Sequence, residues 1–115
     1  NINANASLAD QSFFVAERTY RIVEISESHA VAGTDGGAVV VQVTADKLTD
    51  APGAGTDLIS STGFSLKTTA NTPQFATLAA NRNLFLLNGD RLAVDFAGVL
   101  TTLSGVVITV SLEPQ

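Results

Sequence analysis

Apolar and polar residues alternate with a period of two along most of the chain, which predicts β-strands rather than helices. In residues 19–26, Tyr20, Ile22 and Glu24 share one face and Arg21, Val23 and Ile25 the other. Residues 38–45 (AVVVQVTA) are dense in valine, whose branched side chain packs well on a pleated surface. Further strands are predicted over 12–16, 63–67, 72–78, 83–87, 92–99 and 106–112, about eight in all. Pro73 places the 72–78 segment at an edge or at a strand entry. The turns between them carry turn chemistry: Thr34-Asp35-Gly36-Gly37, Asn88-Gly89-Asp90 and Gly105. Residues 46–62 form a long loop whose centre, 50–57, contains Pro52, Gly53 and Gly55 and is expected to be irregular, with Leu58 and Ile59 tucking it onto the body. No segment sustains a period of 3.6; residues 76–82 offer one helical turn at most. The predicted fold is all-β: a single-domain β-sandwich or jelly roll over 11–115, with residues 1–10 an extended N-terminal arm marked by Ile2 and Leu8. The arm has neither the basic start nor the apolar stretch of a signal peptide.

Composition narrows the function classes. The 115 residues make one domain, and no apolar run approaches the ~20 residues of a membrane-spanning helix. With no cysteine there is no disulfide, thiolate metal site or cysteine nucleophile; with one histidine there is no site holding two imidazoles of one chain. A net charge of −5, with six scattered basic residues, argues against a nucleic-acid partner. Only 15% of residues are charged, against about 25% in ordinary domains, so part of the surface is expected to be hidden against another chain.

Candidate chemistry is sparse. His29 lies near Glu27 and Ser28, but no nucleophile elbow surrounds them, and His29 is expected on an exposed loop without a catalytic role. Asp46, Asp50 and Asp57 flank the long loop in a spacing that fits no calcium-binding loop and are expected to cap it. Asp95, between Val94 and Phe96, faces solvent beside Ala93 and Ala97, or pairs across subunits with Arg82 or Arg91. Phe96 is expected in the core. Phe13 and Phe14, being adjacent on a strand, should face opposite sides, one inward and one exposed or covered by a neighbour. No catalytic, cofactor-binding or metal residue is assigned.

Several segments carry a resemblance: Phe14–Arg18 (FVAER) leading into Tyr20–Val23 (YRIV), Gly33–Val39 (GTDGGAV), Ala51–Ile59 (APGAGTDLI), Ala70-Asn71-Thr72, Leu87–Gly98 (LNGDRLAVDFAG) and Gly105–Val110 (GVVITV). Together they resemble a family of small structural proteins of tailed phages, over about nine tenths of the chain. The resemblance implies a decoration (cement) protein that binds the outer surface of the capsid in the virion. It would be a homotrimer with the major capsid protein as partner and would bridge neighbouring capsomers, with no enzymatic activity, cofactor, nucleic acid or membrane involved. The alternative is a head- or tail-fibre domain that binds a host-surface glycan or protein through residues 46–62. The residues expected at capsid or subunit contacts are Ile2, Leu8, Phe13, Phe14, Pro52, Gly53, Gly55 and Asp57.

Overall fold

The computed structural model describes residues 2–5, 10–34, 36–60, 62–78 and 84–115. Among them are ten strands and no helix: β1 (Ile2–Asn5), β2 (Gln11–Val15), β3 (Tyr20–Ser28), β4 (Val40–Asp46), β5 (Thr56–Asp57), β6 (Phe64–Ser65), β7 (Gln74–Phe75), β8 (Phe85–Leu86), β9 (Arg91–Ala97) and β10 (Val107–Pro114). They build two antiparallel sheets in a β-sandwich. One sheet runs β1-β10-β3-β7, with β8 also pairing β3; the other runs β2-β9-β4-β5, with β6 also pairing β4. Each central strand thus carries two short partners on one flank. β8 lies opposite Tyr20 and Arg21 and β7 opposite Ser26 and Glu27; β6 lies opposite Val40 and Val41 and β5 opposite Thr44 and Ala45.

The core lies between the sheets. Ile22, Ile25, Ile108 and Val110 enter from the first, and Val39, Val41, Val43, Leu92 and Val94 from the second, all nearly or fully buried. The alternation anticipated from the sequence is present, with one addition. The outward residues of β4, namely Gln42, Thr44 and Asp46, are buried as well, as is Ala93 on β9. Gly53 and Gly55 stand over Asp46 and Asp95 on the outer face of this sheet, and Ile59 is bonded to Gln42, so the outward side of β4 is covered as well. Leu58 and Ile59 tuck in as expected, at 2% and 4% exposure. Within the segment expected to be irregular, Thr56 and Asp57 pair with β4 as β5, because Gly55 lets the chain come close enough to form a ladder.

Other elements differ from the sequence reading for local reasons. The strands predicted over 63–67, 72–78 and 83–87 shrink to two residues each, since each flanks only one end of a long partner. Leu86 is buried while Leu87 is half in water. Phe13 and Phe14 do not divide between core and surface. A bulge between Ser12 and Phe14 shifts the β2–β9 register, and both rings pack half-buried at the core margin. Phe14 meets Tyr20 edge to face, ring centres 5.8 Å apart. Phe96 is likewise only half-buried, near the outer end of β9. Of the segment expected as an arm, Ile2–Asn5 pair with β10, Ile2 opposite Val110, while residues 6–9, Leu8 included, lie outside the described residues. Residues 76–78 are not helical, and 79–83 lie outside the described residues.

Candidate functional site

Three places gather polar or exposed apolar groups: the loop over β4, a buried pair on β3, and one tip of the sandwich. At the loop, β4 ends in Asp46, whose side chain points outward into the arch of residues 50–57. Its carboxylate accepts three hydrogen bonds: from the Thr44 hydroxyl at 2.7 Å, the Gly53 amide at 3.1 Å and the Gly55 amide at 3.0 Å. Two glycines make this approach possible. Gly53 has a φ of +86° and stands directly over Asp95, where a side chain would be crowded. A Cβ on Gly55 would overlap the Ala45 carbonyl oxygen. Gln42 completes the fastening, taking the Ile59 amide on its carbonyl and giving its own amide to the Ile59 carbonyl, each at 3.0 Å.

Asp95 lies half-buried under this arch. Arg91 does not pair with it within the chain, because its guanidinium is committed elsewhere; Arg82 lies outside the described residues. The neighbours of Asp95 are acids. Burial, then the charge and hydrogen bond of Asp10, then the charges of Asp57 and Asp46, push its carboxyl pKa above 3.8. Asp10 in turn accepts the Phe96 amide at 2.8 Å. Asp50 belongs to a different feature and caps the Lys47 amide. Among the described residues no group of three or more histidine or acidic side chains is arranged to hold a metal ion.

The second place corrects the expectation for His29. It is 1% exposed, not on an open loop. β3 runs on to Ser28, so Glu27 and His29, two residues apart, project to the same inner side. Glu27 Oε2 lies 2.9 Å from His29 Nδ1, and the Thr68 carbonyl oxygen lies 2.9 Å from Nε2. Gln74 donates to Glu27 Oε1 at 2.6 Å. Burial acts to lower the His29 pKa, but the bond to Thr68 and the hydrogen bond and charge of Glu27 outweigh it, and the net shift is upward from 6.5. Both side chains are fully enclosed, which suits a structural pair and leaves a substrate no approach.

The third place was not singled out from the sequence. Leu48, in the turn after β4, is 90% exposed and holds a φ of 53°. Leucine seldom adopts that left-handed conformation, which costs roughly 1–2 kcal/mol. The turn is braced from several sides. Asp50 donates its amide to the Lys47 carbonyl at 3.0 Å, and Arg91 reaches the carbonyls of Leu48 at 2.9 Å and Asp50 at 3.0 Å. Lys47 forms an ion pair with Asp90, whose carboxylate also takes the Leu87 amide. Exposed Leu87 shares a surface depression with Leu48, and exposed Val15 lies opposite Arg91 in the β2–β9 register. Beside them a cavity of about 340 Å³ opens between Ala45, Leu58, Leu84, Phe85 and Leu87. The only hint in the sequence was one leucine standing in a polar turn.

The residues expected at contacts therefore fall in separate places. Phe13 and Phe14 sit at the core margin. Pro52 and Asp57 are exposed on the arch, whereas Gly53 and Gly55 are turned toward the sheet. Ile2 lies on the strand beside β10. No helix among the described residues is long and apolar enough to cross a membrane. No family model matches the chain, and searches of curated proteins and of solved structures found no match.

Proposed function

We propose that the chain is a capsid decoration protein of a tailed phage. In this reading it binds the major capsid protein on the outer surface of the head as a homotrimer and stabilises the shell by bridging neighbouring capsomers. The resemblance in turn and strand segments suggested this role, and the low share of charged residues fits a surface partly covered by other chains. The observation that carries the reading furthest is the braced apolar tip. A single exposed leucine needs no explanation. Leu48 is different: it is held in an unfavourable backbone conformation by Arg91 and Asp50 and shares a surface depression with exposed Leu87. A pre-set apolar projection loses little entropy on docking. Repeated over a shell, even a weak contact of this kind becomes firm through avidity.

The test is co-sedimentation of the purified chain with heads of the encoding phage that have been stripped of surface proteins, together with the temperature at which those heads rupture. The expected result is saturable binding at three-fold positions and a higher rupture temperature. Leu48→Asp should weaken binding about tenfold or more while leaving the folded chain's urea midpoint unchanged. Absence of binding by the unmodified chain would refute the proposal.

A further inference from the structure

The segment from β6 to β7, residues 64–75, is a strap that crosses from the flank of one sheet to the flank of the other. Besides the short β7–β3 ladder, its attachment to β3 converges on two side chains. Thr68 offers its carbonyl to His29 Nε2, and Gln74 gives its amide to Glu27 Oε1 at 2.6 Å and to the Ser65 carbonyl at 2.7 Å. The Asn71 amide donates to the His29 carbonyl at 2.7 Å. We propose that Glu27 and His29 hold one proton between them as a latch, and that its loss releases the strap from β3.

The argument is one of donors and acceptors. Both ring nitrogens of His29 face oxygens: the Glu27 carboxyl on one side and the Thr68 carbonyl on the other. A carbonyl oxygen can only accept, so Nε2 must carry a hydrogen. Between Nδ1 and Oε2 there must be a second hydrogen, borne by the ring or by the carboxyl. Either way the pair keeps one more proton than a neutral imidazole beside an ionised carboxylate. Remove it, and the remaining ring hydrogen can serve only one of the two oxygens. The other contact then sets a nitrogen lone pair against an oxygen lone pair with no water to intervene, since both side chains are fully buried.

The groups packed around the pair do not replace that proton. Thr68, Ser65 and Gln74 do not titrate, and Lys67, the charged residue on the strap, turns its ammonium to the Gly37 carbonyl. Glu27 is the charge acting on His29. The sign follows. The proton is held more tightly in the closed strap than in an open one, where the imidazole returns to its ordinary 6.5. The latch is therefore at full strength below 6.5. It weakens about tenfold per pH unit above that and is lost as pH rises through the closed pair's own value.

With a single histidine in the chain, ¹⁵N NMR of the imidazole reads the latch directly across pH 5–10. The expected result is a pair of ring-nitrogen signals that keep their low-pH positions past 6.5 and move only when the shared proton is lost. Over the same range the Asn71 and Ala76 amides, which bond to His29 and Ile25, should lose protection, after correction for the base-catalysed intrinsic exchange rate. In Glu27→Gln the new amide can donate to Nδ1, so the neutral ring is satisfied at both nitrogens. The histidine transition should then fall to or below the ordinary value, and strap protection should become flat with pH. A wild-type His29 that titrates at or below 6.5, or strap amides indifferent to its titration, would overturn the proposal. The wild-type experiment decides even if the variant fails to fold.

Discussion

Asp46 offers the sharpest test of how the outer face of the second sheet is held. Its carboxylate satisfies three donors: the Thr44 hydroxyl and the Gly53 and Gly55 amides. Asp46→Ala removes all three bonds at once. Thr44 is fully buried, so its orphaned hydroxyl costs about 1–3 kcal/mol. The two amides lie partly in reach of water, which replaces part of each lost bond, so each loss costs about 1 kcal/mol. The total expected is about 3–5 kcal/mol, a large part of the ~5–15 kcal/mol that holds a domain of this size. Asp46→Asn is milder. Its single oxygen can take the place of Oδ1 and keep the Thr44 and Gly55 bonds, while its amide group faces the Gly53 amide donor to donor. That variant should lose about 1.5–3 kcal/mol. Urea denaturation at neutral pH measures both, and limited proteolysis of residues 50–57 shows whether the arch lifts before the sandwich unfolds. Two results would refute the reasoning: Asp46→Ala within 1 kcal/mol of wild type (roughly the value of a single bond), or the asparagine variant as damaging as the alanine.

Other consequences can be checked alongside it. Asp95→Asn removes a charge disfavoured by burial and by three neighbouring acids. Because the folded carboxyl titrates above 3.8, its favourable contribution belongs to the protonated form and fades as pH rises through the raised value. Calorimetry should find the variant with the higher Tm at pH 7 and the difference gone in strong acid; a lower Tm at pH 7 would contradict this. On β8, Leu86→Ala should cost about 2–5 kcal/mol in urea midpoint measurements, while Leu87→Ala, whose side chain is half in water, should cost little. Equal losses would mean the register of that short strand is wrong.

The sequence was most informative where one strand faces one core. The alternation of Leu92 and Val94, the valines before Asp46, and the turn at Asn88-Gly89 all foretold the elements found there. It failed where a third layer intervenes. Nothing in the period of β4 says that Gln42, Thr44 and Asp46 are covered, because a residue buried by a distant loop carries the same letter as one facing water. His29 was missed for a nearer reason. β3 runs two residues past the predicted 19–26, so Glu27 and His29 form an i, i+2 pair on one face of an extended segment instead of lying on an exposed loop. The phenylalanines of β2 were misassigned because a bulge has no signature when no glycine marks it. Leu48 could be noticed, but its left-handed backbone and its arginine brace exist only in three dimensions.

The four two-residue strands on the flanks of β3 and β4 have a consequence for crowding. A long, straight sheet margin invites another chain to zip onto its backbone. Here two margins are broken into stubs, each ending after a pair of residues and leading into a turn or a crossing. A neighbour arriving on those sides finds no continuous row of amides and carbonyls to extend. Copies brought to high density there must recognise one another, or any other surface, through side chains. Such contacts are selective and can be remodelled by single substitutions, whereas backbone zippering would be indifferent to sequence and hard to reverse.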